Sequence, residues 1–204
     1  MEFPEVLARR RMVRNFTDEP VDRAVLERIA RAGLRAPSAG FSQGHAFVVV
    51  TDGELRAQIA DVSGEKQYVA AGMDPWISRA PAHIVLCVSE AAYHRRYTEA
   101  DKLDEGGAEI SWPVPYWWVD AGAAMMAILL AAVNEGLAAG FLGSHAMGDI
   151  ASLLGIPGEY APIGIVTVGH AAADRRSSSL ERGHRPARQV VHWEQWDPAW
   201  SVDF

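Results

Sequence analysis

Four arginines fall within six positions near the N-terminus: Arg9, Arg10, Arg11 and Arg14 of the stretch "RRRMVRNF". A guanidinium keeps its charge at any physiological pH, and its planar fork matches two oxygens of a phosphate or carboxylate. A second basic cluster lies far along the chain, at Arg175, Arg176, Arg182, Arg185 and Arg188. Converging on one phosphate, the two would make an anion site; taken singly, the same residues are ordinary solvated charges. The chain around them is acidic, with 26 Asp and Glu against 19 Lys and Arg and a net charge of -7. That balance excludes nucleic acid as the main partner, because backbone binding needs a broad basic face.

Other chemistries lack their residues. No G-x-G-x-x-G follows a strand, and there is no P-loop, no H-E-x-x-H and no G-x-S-x-G elbow. The seven histidines (45, 83, 94, 145, 170, 184 and 192) have no metal-ligand spacing, so no metal is expected. The single cysteine, Cys87 in "AHIVLCVS", forbids an internal disulfide and reads as an inert buried thiol of a cytoplasmic protein. No apolar leader is visible. The uncharged stretch Ala121–Asn134 is too short for a bilayer and reads as a buried or subunit-interface helix, so no membrane is expected.

The elements that must position these groups follow from periodicity. Residues 3–11 read as a first helix with Pro4 in its first turn. Asp22 offers an N-cap to a helix that Pro37 stops. Residues 46–51, 82–89, 162–171 and "QVVHW" (189–193) read as strands; 52–62, 120–137 and 147–154 read as helices, with "AAGFLGS" as a glycine-rich turn. The tail "EQWDPAWSVDF" (194–204) is aromatic and acidic. Residues 90–119 are neither clean helix nor clean strand, and their aromatic content marks a lid within a single domain spanning 1–204. The class is mixed, α/β or α+β around one sheet.

Four stretches in order carry a family resemblance. "RRRMVRNFTDEPV", "RAPSAGFSQGHAFVVV", "EGLAAGFLGS" with "LLGIPGEYAPIGIVTVGHA", and "HRPARQVVHW" resemble the successive signatures of the FMN-dependent nitroreductase family. Met12 stands where the family usually has serine, and Phe41 where it usually has Asn. The resemblance implies an α+β fold, a central mainly antiparallel sheet flanked by helices, in an intertwined homodimer with C-terminal arm exchange. It implies FMN as cofactor and NAD(P)H as electron donor. Arg10 and Arg11 would hold the FMN phosphate beside Met12, helped by Arg182 and Arg185. Arg14 would sit under the pyrimidine edge, where reduction adds negative charge. Pro37, Ser38, Ala39 and Phe41 would reach the flavin from the partner subunit. Leu142 and Gly143 would present backbone to its ring, with the Gly143 N–H toward N5.

The family's reaction passes hydride from a nicotinamide to the flavin and then electrons to an oxidant. Arg14 and Gly143 are therefore the expected catalytic groups. The flat acceptor, nitroaromatic or quinone-like, would meet Tyr97, Trp112 and Tyr116 of the lid. Asp101 with Lys102 is a candidate proton-transfer pair, and Arg95 with Arg96 a candidate site for acidic groups. Alternatives remain: a reductive dehalogenase clamping an amino acid with Glu99, Tyr97 and Lys102, a flavin-fragmenting enzyme, or a flavin-binding protein without turnover.

Overall fold

β-Branched runs need a ladder to satisfy their backbone, and three of the four expected ones find it. In the computed structural model, which describes residues 1–204 except Ser144, Arg176 and 197–204, the strands are β1 (His45–Val50), β2 (Ala82–Val88), β3 (Ala138–Leu142) and β4 (Ala161–Gly169). They form one sheet in the order β1-β2-β4-β3. Every pairing is antiparallel, His45 opposite Val88, Ile84 opposite Val166 and Leu142 opposite Ile165. β2 is buried along its whole length. Its alternate residues serve two cores: Val85 and Cys87 join Ile59, Ile77 and Ile165, while Ile84 and Leu86 join Leu26, Ile29, Ile128 and Val168. A strand covered on both faces reads as an unbroken apolar run, and this one does.

Helices cover both faces. α1 (Phe3–Arg9) leads into the arginine segment, and α2 (Arg23–Ala32) is capped by the Asp22 carboxylate accepting from the Ala24 N–H. α3 (Gly53–Val62) is capped by Asp52, and α4 (Glu65–Ala70) and α5 (Trp76–Arg79) follow it. α6 (Glu90–Tyr97) is capped by Ser89. α7 (Tyr116–Asn134) and α8 (Met147–Leu153) complete the set. The order of elements is α+β, as the resemblance implies.

Three expectations are corrected. "AAGFLGS" is strand β3 rather than a turn, Ser144 lying outside the described residues. Its small residues are a packing demand: a Cβ on Gly140 would collide with the Val13 carbonyl, because the arginine segment runs alongside. "QVVHW" pairs with no strand among the described residues, and the backbone there makes a 3-10 turn, Ala187–Gln189. β-Branched composition without a neighbouring ladder does not make a strand. Residues 90–97 form a regular helix, α6, so the irregular segment is 98–115. α7, at 19 residues, is also long and apolar enough to cross a bilayer by length and composition. Its inner face (Ala124, Ile128, Leu129, Ala132) packs in the core.

Residues 1–174 make one compact unit and 175–204 a second, smaller one. Within the second, a 3-10 helix spans Ser178–Arg182, and Val190, Val191, Trp193 and Trp196 are exposed. The rest of the tail, from 197, and Arg176 of the basic cluster lie outside the described residues.

Candidate active site

The arginine segment is built as an extra strip on the outer edge of β3. Met12 bridges Ala139 in parallel, and the Val13 N–H donates to the Ala139 carbonyl at 3.0 Å. Phe16 bridges Ala171 beyond β4. Burial of Val13 and Phe16 fixes the strip, with Arg14 between them and Arg10 and Arg11 just before. The four differ sharply. Arg9 pairs with Glu5 one helical turn away. Arg11 pairs with Asp174 at 3.1 Å, a carboxylate only 6% exposed that also accepts the Arg14 N–H at 3.0 Å. The half-buried Arg10 and Arg14 have no carboxylate partner among the described residues. The Arg14 guanidinium lies 6.0 Å from the Trp76 ring centre. Two half-buried, unpaired guanidiniums in an acidic chain are a donor set for an anion, and they fit a phosphate-bearing flavin.

Leu142 ends β3 on that same edge, and Gly143 follows with its backbone exposed. A Cβ at Gly143 would meet the Phe141 ring at 3.8 Å, an ordinary contact. The segment Pro37–Phe41 lies elsewhere. It precedes β1, the opposite edge of the sheet. Three strand spacings separate the edges, about 14 Å. Among the described residues no hydrogen bond joins Pro37, Ser38, Ala39 and Phe41 to Arg10, Arg14, Leu142 and Gly143 of the same chain.

The loop before β1 is strongly constrained. Gly40, Phe41 and Gln43 have φ of 60°, 58° and 51°, the left-handed region that costs a non-glycine residue roughly 1 kcal/mol or more. Asp120 of α7, buried, accepts from the Ala39 N–H at 2.8 Å and from the Tyr93 hydroxyl at 2.9 Å. Burial and the carboxylate beside it push the Tyr93 phenol far above its ordinary range. Ser38 Oγ accepts from the Gln43 N–H, and Arg96 Nε donates to the Gly40 carbonyl at 2.9 Å. The result holds the Phe41 side chain 74% exposed on a fixed backbone. Asp120 was legible as the lone acid within an apolar helix, a charge that needs buried donors.

The segment 98–115, within the expected lid, is tied to its surroundings rather than loose. Trp112 sits at the centre of an aromatic group, 4.5 Å from Tyr97, 5.7 Å from Trp117 and 6.4 Å from Tyr116 between ring centres. Its indole N–H donates to Glu109 at 2.6 Å, and the same oxygen lies 2.6 Å from His94 Nδ1. That hydrogen bond, with Glu90 on the other ring nitrogen, raises the His94 pKa. Tyr116 is exposed. The candidate pair Asp101–Lys102 is otherwise engaged: Arg96 holds Asp101 through two 2.7 Å bonds and lowers its pKa to about 2. A carboxyl that acidic has no proton to give at neutral pH. Arg96 is thereby not available to an acidic substrate, and Arg95 faces Glu159 at 3.4 Å. The three groups of the amino-acid clamp are also used within the lid, Glu99 on Arg96 at 3.0 Å and Lys102 over the Tyr97 ring at 5.8 Å.

Of the C-terminal arginines, Arg182 closes its 3-10 helix and Arg185 donates to the Gln189 carbonyl at 2.9 Å. Among the described residues no cluster of His, Cys, Asp and Glu could hold a metal. Burial raises the Cys87 thiol to about 11, so it stays protonated.

An antiparallel four-stranded sheet wrapped by helices, with an arginine strip at one edge and a strained loop before the strand at the other, defines an α+β protein. The Nitroreductase family model matches residues 7–170, and the chain belongs to that family. It is similar to an FMN reductase [NAD(P)H] of Bacillus subtilis, 29% identical over 200 residues, covering 96% of this chain and 74% of the relative. Among solved structures it is similar to NADPH:FMN oxidoreductase from Vibrio harveyi complexed with NAD+, with TM-score 0.71 and 26% identity, covering 95% of this chain and 77% of that one. A nitroreductase family protein from Streptococcus pneumoniae superimposes with TM-score 0.74 at 22% identity, covering 95% and 100% of the two chains, a likeness of fold.

Proposed function

We propose that this protein is an FMN-dependent oxidoreductase of the nitroreductase type, taking electrons from NAD(P)H and passing them to a flat acceptor such as a nitroaromatic or a quinone. The observation that carries this reading is the pair of half-buried arginines, Arg10 and Arg14, without a carboxylate partner among the described residues, on the strip that runs along the β3 edge. The names of the relatives, an FMN reductase and a NADPH:FMN oxidoreductase, agree with it.

When bound, FMN supplies the centre that accepts and gives up hydride. The chain supplies position and charge. Arg10 would bind the phosphate, with Met12 beside it and Arg182 and Arg185 as further cations, while Arg11, also expected there, is held by Asp174. Arg14 places fixed positive charge where reduction adds negative charge, which favours the reduced state. Gly143 and Leu142 offer backbone to the ring. Pro37, Ser38, Ala39 and Phe41 act in the partner's site, which makes a homodimer, with exchange of the C-terminal arm, the working unit. Tyr97, Trp112 and Tyr116 form the wall that meets the acceptor. Proton delivery falls to water or donor, since Asp101 is held ionised by Arg96. The protein works in the cytoplasm on small molecules, without nucleic acid or membrane.

The test is an absorbance spectrum of the purified protein, reconstituted with FMN, before and after NADH or NADPH without oxygen. Loss of the oxidised flavin bands is expected. Bands that persist with both donors would refute the oxidoreductase reading, and no flavin uptake would refute the cofactor.

A further inference from the structure

One guanidinium bonds to two segments at once. Arg96, in the last turn of α6, donates Nε to the Gly40 carbonyl at 2.9 Å on one side. On the other it grips the start of the lid, Asp101 through both terminal nitrogens at 2.7 Å and Glu99 at 3.0 Å. Its side chain is only 22% exposed, so the bonds lie partly out of water. The next residue repeats the pattern by packing. The Tyr97 ring lies where a Cβ on Gly40 would come within 2.7 Å of it, and it also meets the Trp112 ring edge-on. The far end of the lid returns to the same turn through Glu109 and His94. Both ends of the lid and the strained loop thus hang on His94, Arg96 and Tyr97.

We propose that Arg96 is a positioning residue that couples the lid 98–115 to the loop 38–43, so that the lid sets the placement of Phe41 and with it acceptor fit in the partner's site. The step from loop to acceptor rests on the proposed flavin site; the coupling itself does not. The geometry favours coupling over two independent tethers. The fork of Arg96 is fixed by the bidentate Asp101 pair, and the Nε that reaches Gly40 is rigidly attached to that fork. Releasing Asp101 frees the guanidinium to rotate and weakens its hold on a carbonyl whose loop carries three left-handed residues.

The test uses the full-length protein and two variants, Asp101→Ala and Arg96→Ala. Hydrogen exchange is measured first without flavin. The Ala39, Phe41, Ser42 and Gln43 amides are all bonded in the native loop. In Asp101→Ala, which touches only the lid, these amides should exchange roughly threefold to fivefold faster, as for loss of one good ion pair. Acceleration confined to 98–111, with 38–43 unchanged, overturns the coupling. With FMN and NAD(P)H supplied, both variants should raise KM for a bulky quinone roughly threefold or more while kcat stays within about twofold. An unchanged KM in both overturns the role in acceptor fit. If wild-type protein takes up no FMN, the flavin reading fails while the exchange result still decides the coupling.

Discussion

Arginines that look alike in sequence do different work once their partners are known. Arg11 spends its charge on Asp174, whereas Arg10 and Arg14 have no carboxylate partner among the described residues and are the ones proposed to meet the flavin. Loss of Arg10 should therefore weaken FMN binding by roughly 10- to 100-fold, the worth of one charge-assisted phosphate contact. Arg11→Ala should change affinity less than about threefold and instead lower the unfolding midpoint, because it leaves a nearly buried carboxylate with only a backbone donor. Fluorescence titration of FMN and thermal melts of the two variants check this, and equal losses of affinity would return Arg11 to the phosphate. His83 makes a second residue-level case. It is fully buried on β2, with Nε2 2.7 Å from the Ile77 carbonyl, and burial lowers its pKa to about 4. An unfolded histidine titrates near 6.5. Between those values the unfolded state binds the extra proton, so stability present above about 6.5 falls as pH drops toward 4. The loss should reach roughly 3 kcal/mol at pH 4. Urea unfolding at pH 7 and pH 5 should show it, and His83→Phe should flatten the difference. The sequence marked the histidine but not its neutral state, which depends on the helix α5 carbonyl that faces it.

Elements were legible where local pattern and tertiary demand agreed. β2, β4 and α3 formed within a residue or two of their expected bounds, because an apolar run or a capped stretch suits both, while α2 starts at its expected cap but ends at Ala32, short of Pro37. β3 was hidden because its glycine and alanines answer to a neighbour, the arginine strip, rather than to strand propensity. The lid's internal order was hidden for the same reason. Its acids look solvated in sequence, yet Asp101 and Glu109 close on α6 and Asp104 accepts from the Gly106 and Ala108 N–H groups. The His94–Glu109 contact makes the lid's far end sensitive to pH with the opposite sign to His83. The folded pKa of His94 is raised, so its contribution is complete below the unfolded value and is lost as pH rises through the folded one. Glu109→Gln keeps an acceptor for the Trp112 indole but removes the charge, and should move the His94 pKa back toward the ordinary value. Titration of the His94 ring protons by NMR reads it directly. An unmoved midpoint would mean that Glu90, 3.4 Å from the other nitrogen, carries the shift instead.

At the scale of the whole molecule, the outer face of α7 poses the remaining question. Tyr116, Trp118, Val119 and Met126 are exposed along it, and Phe3 and Leu7 of the neighbouring α1 are exposed too. Val119 and Met126 stand seven residues apart, so they share a stripe. A stripe of this kind on a helix whose other face is already in the core calls for a covering surface. The proposed flavin site asks for the same surface, since in it Phe41 acts beside Arg14 of a second copy. Burying these side chains would contribute about 1.5–3 kcal/mol each. Trp118→Glu combined with Val119→Glu should therefore convert a dimer to a monomer at micromolar concentration, measured by light scattering. The core face of α7 does not include either residue, so the helical circular dichroism should persist. FMN should be lost along with the dimer, because each site would then lack its Pro37–Phe41 wall. A monomer that binds FMN as tightly as wild type would break the link between assembly and site. Wild type that is itself monomeric would leave the two edges of the sheet as unrelated surfaces, and the arginine strip would have to complete its site from its own chain.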